Sequence, residues 1–156
     1  MLTLVDNFSR ESLAIRAGQR LLGEDVVQTV DAVVRSDGAK PASIRVDNGP
    51  EFRGREMDAW ACRRGVRLHF IDPGKPMQNA FVESFNDKFR YECLNAHYFV
   101  GLEDARRRIE NWRREYNELR PHRSLGRIPP AVFARRAAAL QAPSAPSDLL
   151  LGDSIA

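Results

Sequence analysis

Two acids stand out by residue type and by setting. Asp47 closes the apolar run Ser43-Ile44-Arg45-Val46 and is followed at once by Asn48-Gly49-Pro50, so it reads as a carboxylate at the exit of a strand. Glu83 lies within the stretch 79–90, where Phe81, Phe85 and Phe89 recur every four residues and mark one side of a helix. At about 100° per residue, Phe81 and Phe85 fall roughly opposite Glu83, whereas Asn79, Asn86, Asp87 and Arg90 fall within about 60° of it. Glu83 is therefore expected on a polar face whose back is packed. Carboxylates of this kind share a hard divalent cation such as Mg²⁺ when a fold brings them together, with water and substrate phosphate as the other ligands. Residue type alone leaves a purely structural role open for both.

The elements that must position these acids follow from periodicity. Leu2–Val5 and Leu13–Ala17 are short apolar runs separated by polar, turn-prone residues and read as a hairpin. From Gly23 to Arg35, five valines keep helical spacing behind Glu24 and Asp25, acids that suit a helix N-terminus. A strand over 43–47 precedes a helix expected from about Pro50 to Arg64, with Phe52, Met57, Trp60 and Ala61 on its inner side. Val66–Ile71 reads as the next strand. Two prolines and a glycine within 72–76 forbid regular structure before the Glu83 helix. A long helix spans about Leu102 to Leu119, its outer face carrying the i, i+4 pairs Glu103–Arg107, Asp104–Arg108 and Glu110–Arg114. Such a face reads as solvated rather than as a DNA groove. A short apolar-basic helix runs over Val132–Leu140. The order of strands and helices is that of a mixed α/β sheet flanked by helices.

Composition bounds the rest. A chain of 156 residues with 43% hydrophobic content has the size and the material of one domain. No run of the roughly 18–20 apolar residues needed to cross a bilayer occurs, so no membrane partner and a cytoplasmic location are expected. Twenty-four Lys and Arg against 21 Asp and Glu permit nucleic-acid binding without demanding it. Cys62 and Cys93 lack metal-type spacing and read as buried or idle thiols. Trp60 and Trp112 lie on apolar stripes and belong to the core. His69, inside a strand, reads as packed, and His122 as a loop or structural histidine. Beyond Gln141 the chain turns to Ala, Pro and Ser, and a disordered tail, bounded at 138–156, is expected behind a folded unit of residues 1–137.

The segments Val-Asp-Asn-Gly-Pro-Glu-Phe (46–52) and Pro-Gly-Lys-Pro-Met-Gln-Asn-Ala-Phe-Val-Glu-Ser-Phe (73–85), with 35 residues between Asp47 and Glu83, resemble the surroundings of the second and third acids of DDE transposases and retroviral-type integrases. Leu-Val-Asp-Asn-Phe-Ser-Arg (4–10) and Arg-Pro-His-Arg-Ser-Leu-Gly (120–126) strengthen the likeness to insertion-sequence transposases of the OrfB type, which are made from two overlapping reading frames. The resemblance covers about Leu2 to Arg135. It implies a ribonuclease H-like fold, metal-dependent DNA hydrolysis and strand transfer, two Mg²⁺ or Mn²⁺ ions in the intact family site, and DNA partners at the element's ends and its target. A homo-oligomer or a pairing with full-length transposase is a further implied partner.

Residue by residue, Asp47 and Glu83 match catalytic, metal-binding acids. Arg90 matches a basic residue that the family carries two turns beyond the glutamate, and with Lys88 it is a candidate phosphate contact. An intrahelical pair with Asp87 or Asn86 is the competing reading for Arg90. Lys75, Gln78 and Asn79, before and at the helix start, are further DNA-contact candidates, with helix capping as their alternative. The family's first acid lies on a strand before the point where this chain begins, and Asp6 is not its counterpart. Asp6 is expected to cap a turn. The resemblance thus implies a core lacking its first strand, with little or no strand transfer on its own. The alternative is a catalytically inactive remnant that acts as a DNA-binding or dimerisation module.

Overall fold

The computed structural model describes residues 1–37, 40–72, 80–140 and 148–152. Strands β1 (Leu2–Asp6) and β2 (Ser12–Arg16) form the expected hairpin, antiparallel with a register shift between Leu4 and Val5. Asp6 closes its turn. The Asp6 carboxylate accepts hydrogen bonds from the Phe8 and Ser9 amides and the Ser9 hydroxyl, and Arg10 takes a left-handed φ of 66°. That is the turn-capping role expected for this acid.

Helix α1 (Gly23–Asp37) begins with Glu24 and Asp25 and carries Arg35 in its last turn, so charge complements the helix dipole at both ends. Asp25 also pairs with Arg16 of β2 at 2.5 Å. Strand β3 (Ser43–Val46) follows, and then helix α2 (Arg55–Arg64). Pro50 was expected inside that helix. Instead α2 starts at Arg55, while Phe52 in the turn before it is fully buried and anchors the approach. Gly65 ends α2 in the left-handed conformation, φ 60°, its amide reaching the Cys62 carbonyl at 3.1 Å, a conformation that glycine adopts without a Cβ clash. Strand β4 (Arg67–Phe70) pairs in parallel with β3. It forms an exposed edge, and His69 on it is exposed rather than packed as expected.

Helix α3 (Ala80–Phe89) runs on into a π-helical turn at Arg90–Leu94. Helices α4 (Leu102–Glu118) and α5 (Pro130–Leu140) complete the helical set. On α4 the pairs Asp104–Arg108 and Glu110–Arg114 form as expected. Glu103 pairs with Arg106 in place of Arg107, which turns to Asp104 at 2.6 Å. Arg113 pairs with Glu110 at 2.8 Å and also turns its guanidinium to the Ser12 carbonyl at 2.6 Å, and the Asn117 amide brackets the backbone of the same residue. Edge strand β2 is thereby bolted to α4 along groups that would otherwise be open to another chain.

The five-stranded sheet has the order β2-β1-β5-β3-β4. Strand β5 (Asp148–Gly152) falls within the stretch expected to be disordered, yet it takes the central position, antiparallel to β1 and parallel to β3. Composition pointed to disorder because Ala, Pro and Ser dominate around it. The run Leu149-Leu150-Leu151 suits that position, since parallel central strands read as continuous apolar segments. Helix α5 ends at Leu140, where the helix expected over Val132–Leu140 also ends.

Two cores lie against this sheet. One joins Leu2, Leu4, Ile44 and Val46 to the valines of α1 and to Phe52, Met57 and Trp60. The other joins Val5 and Ala17 to Phe85, Phe89, Cys93, Ile109 and Tyr116. Among the described residues no helix is long and apolar enough to cross a membrane.

Candidate active site

Asp47 stands one residue beyond β3, whose Ile44 and Val46 are fully buried, so its backbone is fixed by a strand paired on both sides. Its side chain is half-buried. The Gly49 amide donates to Asp47 Oδ1 at 2.7 Å, the Asx-type turn that the Asp-Asn-Gly sequence favours. The turn is tied onward to the end of β4, since the Asn48 side-chain amide donates to the Ile71 carbonyl at 2.8 Å and Arg53 donates to Asn48 Oδ1 at 2.7 Å. A Cβ on Gly49 would lie 2.9 Å from both Asp47 Oδ1 and Glu51 Oε2. Two carboxylates therefore converge on a space that only glycine leaves open. Glu51 was not singled out from the sequence. The signal was present in the way Asp-Asn-Gly-Pro-Glu turns back on itself and returns its second acid to the first.

Glu83 lies in the first turn of α3 and is exposed, while Val82, Phe85, Asn86 and Phe89 are buried. The back of the helix is held by aromatic packing, with the Phe85 ring 5.1 Å from Tyr116 and 5.7 Å from Trp112, both edge-on. Asn86 was expected on the open polar face with Glu83. It is instead buried, because the Thr3 hydroxyl of β1 donates to its Oδ1 at 3.0 Å.

That bond fixes where Glu83 sits. Asn86 is three residues on, hence about 60° around the helix and ~4.5 Å along it. Thr3 pairs with Gly152, and the parallel pairing of Arg45 with Leu150 carries Asp47 level with Gly152 when followed two residues further. Thr3, the C-terminal end of β5 and Asp47, just beyond the C-terminal end of the parallel strand β3, therefore lie at one end of the sheet. Glu83 is about one helical turn from the Thr3–Asn86 bond, which ties α3 to that same end of the sheet.

Two family models, each described as an integrase core domain, match residues 1–76 and 64–130. The chain belongs to the integrase core domain family. An insertion element IS476 protein of Xanthomonas euvesicatoria is 50% identical over 133 residues, covering 85% of this chain and 38% of that protein. An insertion element IS407 protein of Burkholderia multivorans is 45% identical over 150 residues, covering 96% of this chain and 54% of its own length. The chain spans about half the length, or less, of these curated relatives. A solved HTLV-2 integrase catalytic core domain in complex with magnesium superposes with a TM-score of 0.60 at 18% identity, over 85% of this chain and 82% of that one. The fold is ribonuclease H-like, a mixed sheet flanked by helices.

Around the acids of this integrase core, the basic candidates divide. Arg90 is exposed and pairs with Asp87 at 3.4 Å, and Lys88 donates to the Ser84 hydroxyl at 3.4 Å. Both contacts are long and solvent-facing, so both cations are available to an anion. Lys75, Gln78 and Asn79 lie outside the described residues. The segment 120–126 has a structural role in part. Arg120 pairs with Glu92, which also accepts from the Trp112 indole at 3.3 Å, and the Arg120 guanidinium holds the Glu92 carboxyl below its usual range. His122 packs its ring edge-on to Tyr116 at 4.8 Å and bridges to Ile128 through its backbone. Burial, with the cations Lys88, Arg120 and Arg10 nearby, brings its pKa down to about 4. It is the structural histidine expected. Among the described residues no group of three or more His, Cys, Asp or Glu gathers as a metal cluster.

Proposed function

We propose that this chain is part of the catalytic core of an insertion-sequence DNA transposase, with Asp47 and Glu83 as metal-holding acids in the phosphodiester hydrolysis and strand transfer of the intact protein. The observation that carries the reading is that Asp47 follows the end of β3 and that the Thr3–Asn86 bond ties the Glu83 helix to β1 at the same end of the sheet. The oxygen-only donor set fits a hard cation such as Mg²⁺ or Mn²⁺, leaving positions for water and phosphate oxygens. A bound divalent ion would supply charge stabilisation at the reacting phosphate and a lowered pKa for the attacking water or hydroxyl, two ions being the family arrangement.

The chain's own part is geometric. Gly49 N–H orients the Asp47 carboxylate, the β3 ladders hold its backbone, and the aromatic packing behind α3 keeps Glu83 on the open side. Arg90 and Lys88, one to two turns beyond Glu83, offer positive charge to the DNA backbone without reading sequence. Lys75, Gln78 and Asn79 are proposed as further contacts at the same helix start. DNA is the partner this reading requires.

The test is a Mn²⁺ titration followed by electron paramagnetic resonance of the free ion, beside Asp47→Asn and Glu83→Gln. Each substitution is expected to weaken binding about tenfold or more, because losing a ligand costs at least what losing its outer hydrogen-bond partner does. Any Mg²⁺- or Mn²⁺-dependent cleavage of a labelled duplex should fall to background in both variants. Unchanged affinity, or cleavage that survives both substitutions, would overturn the assignment.

A further inference from the structure

Two groups of arginines behave differently in this fold. On α4, Arg106, Arg107, Arg108, Arg113 and Arg114 each pair with Glu103, Asp104 or Glu110, so their charge is answered within the helix. Around His122 the balance is different. The charges of Lys88 on α3, Arg120 after α4 and Arg10 in the β1–β2 turn all bear on its ring. The turn is held beside α5 by Phe8, whose ring lies 5.3 Å from Phe133, and beside α3 by the Arg10 guanidinium, 4.1 Å from the centre of the Phe81 ring. Of these cations Arg120 has an acid, Glu92. Arg10 donates to the Asn7 side-chain oxygen at 2.9 Å and Lys88 to the Ser84 hydroxyl at 3.4 Å, both neutral acceptors. Arg123 and Arg127, in the loop that carries His122, are exposed and form no ion pair among the described residues.

Backbone geometry marks the same place. Among the described residues, Arg10 and Arg127 are the non-glycine residues with left-handed φ, 66° and 63°. Glycine enters that region freely and arginine does so at a steric cost. The turns themselves do not require the side chains: the Arg10 amide donates to the Asp6 carbonyl at 2.9 Å and the Arg127 amide to the His122 carbonyl at 2.8 Å, bonds that glycine would make equally well. What glycine could not supply is the guanidinium.

We propose that Arg10, Arg123 and Arg127 extend the Lys88 contact on α3 into a track for the phosphodiester backbone of DNA, across the β1–β2 turn and the loop 120–128. Clustered cations without acids repel one another, and a row of phosphates relieves that repulsion while releasing its own counterions. The guanidinium fork donates to two phosphate oxygens at once, so arginine suits the role better than lysine. Such a track positions the duplex without reading its sequence. The proposal rests on DNA as the partner and not on the metal-holding role of Asp47 and Glu83.

The experiment is fluorescence anisotropy of a short labelled duplex of mixed sequence, titrated with the full chain over a series of salt concentrations. Arg123→Gln and Arg127→Gly should each lower the slope of log affinity against log salt by about 0.9, and the two together by about 1.8. Arg127→Gly should leave the urea unfolding midpoint unchanged, since relief of the left-handed φ offsets the greater freedom of glycine in the unfolded chain. Arg10→Gln should lower the slope likewise, and Arg10→Lys and Arg127→Lys, which keep the charge, should retain it. Arg107→Gln, whose charge is paired on α4, should not move it. If Arg90→Ala lowers the slope while the Arg10, Arg123 and Arg127 variants do not, the track is refuted and DNA stands as the partner. An equal fall in Arg107→Gln would reduce the effect to net charge and also refute the track. A parent chain that binds no duplex at low salt overturns the track and the DNA reading together.

Discussion

The two cores of this protein do different work. Behind one face, α1 and α2 press valines, Phe52, Met57 and Trp60 onto Leu2, Leu4, Ile44 and Val46, and neither proposed metal-holding acid lies among them. Behind the other, α3 and α4 combine an aromatic cluster with directional bonds: Thr3 to Asn86, Arg113 and Asn117 to Ser12, and Arg120 to Glu92. The first core needs only volume filled, since area removed from water is indifferent to orientation. Under the proposed function, the second must also hold α3 in the orientation that serves Glu83. Polar bolts supply that, because a hydrogen bond weakens steeply with misalignment whereas an apolar contact does not.

Truncating one large side chain in each core is the sharpest way to break the comparison, and it carries the largest expected effect. Phe85→Ala removes a ring packed on Phe89, Trp112 and Tyr116 and should cost about 3–5 kcal/mol in urea unfolding. Met57→Ala on the other face should cost a comparable 2–5 kcal/mol, roughly. The difference lies in a second readout: Phe85→Ala should also weaken Mn²⁺ binding, because α3 loses the packing that orients Glu83, while Met57→Ala should leave it unchanged. Equal effects on metal affinity would show that the faces are not specialised.

Breaking one bolt comes next. Thr3→Val leaves the buried Asn86 amide oxygen without its donor and should cost about 1–3 kcal/mol. Adding Asn86→Leu should recover much of that stability without recovering Mn²⁺ affinity, if the bolt serves orientation more than strength. A double-mutant cycle read by both denaturation and metal titration separates the two contributions.

A smaller effect follows from His122, on the same side. Its pKa is lowered to about 4 in the folded chain, by burial first and then by the charges of Lys88, Arg120 and Arg10, against an ordinary 6.5. Between these values the unfolded chain takes up a proton that the folded chain refuses. Stability should therefore fall as pH drops from 6.5 towards 4. His122→Gln should flatten that part of the profile, measured as the urea midpoint against pH at constant ionic strength.

Much of this was legible in the sequence because local pattern and tertiary placement agree. Asp47 at a strand exit, Asp6 as a turn cap, and the phenylalanine side of α3 all follow from spacing, since each depends on residues within one turn or one strand. What the sequence hid is non-local. Asn86 reads as surface until Thr3, 83 residues away, supplies its partner. Arg113 reads as one of many solvated arginines until the Ser12 carbonyl comes within reach. His69 reads as packed because a short apolar strand does not reveal that it lies at an edge. Strand β5 was the hardest to see, because three leucines inside an Ala-, Pro- and Ser-rich stretch become a strand only when two open edges wait for them.

The smallest stability effect belongs to Arg90, and it sharpens the comparison at its functional end. The pair with Asp87 is 3.4 Å long and both side chains are largely exposed, so Asp87→Asn should change stability by no more than about 0.5 kcal/mol. If Arg90 serves DNA rather than the fold, Asp87→Asn should strengthen binding to a duplex, since the guanidinium is released from a competing carboxylate. Arg90→Ala should weaken binding and reduce the slope of log affinity against log salt by about 0.9, the release of one counterion. Stability would be untouched in both variants while affinity moved in opposite directions. A loss of stability in Arg90→Ala with no change in salt slope would instead make Arg90 a structural partner of the π-helical turn that begins at that residue.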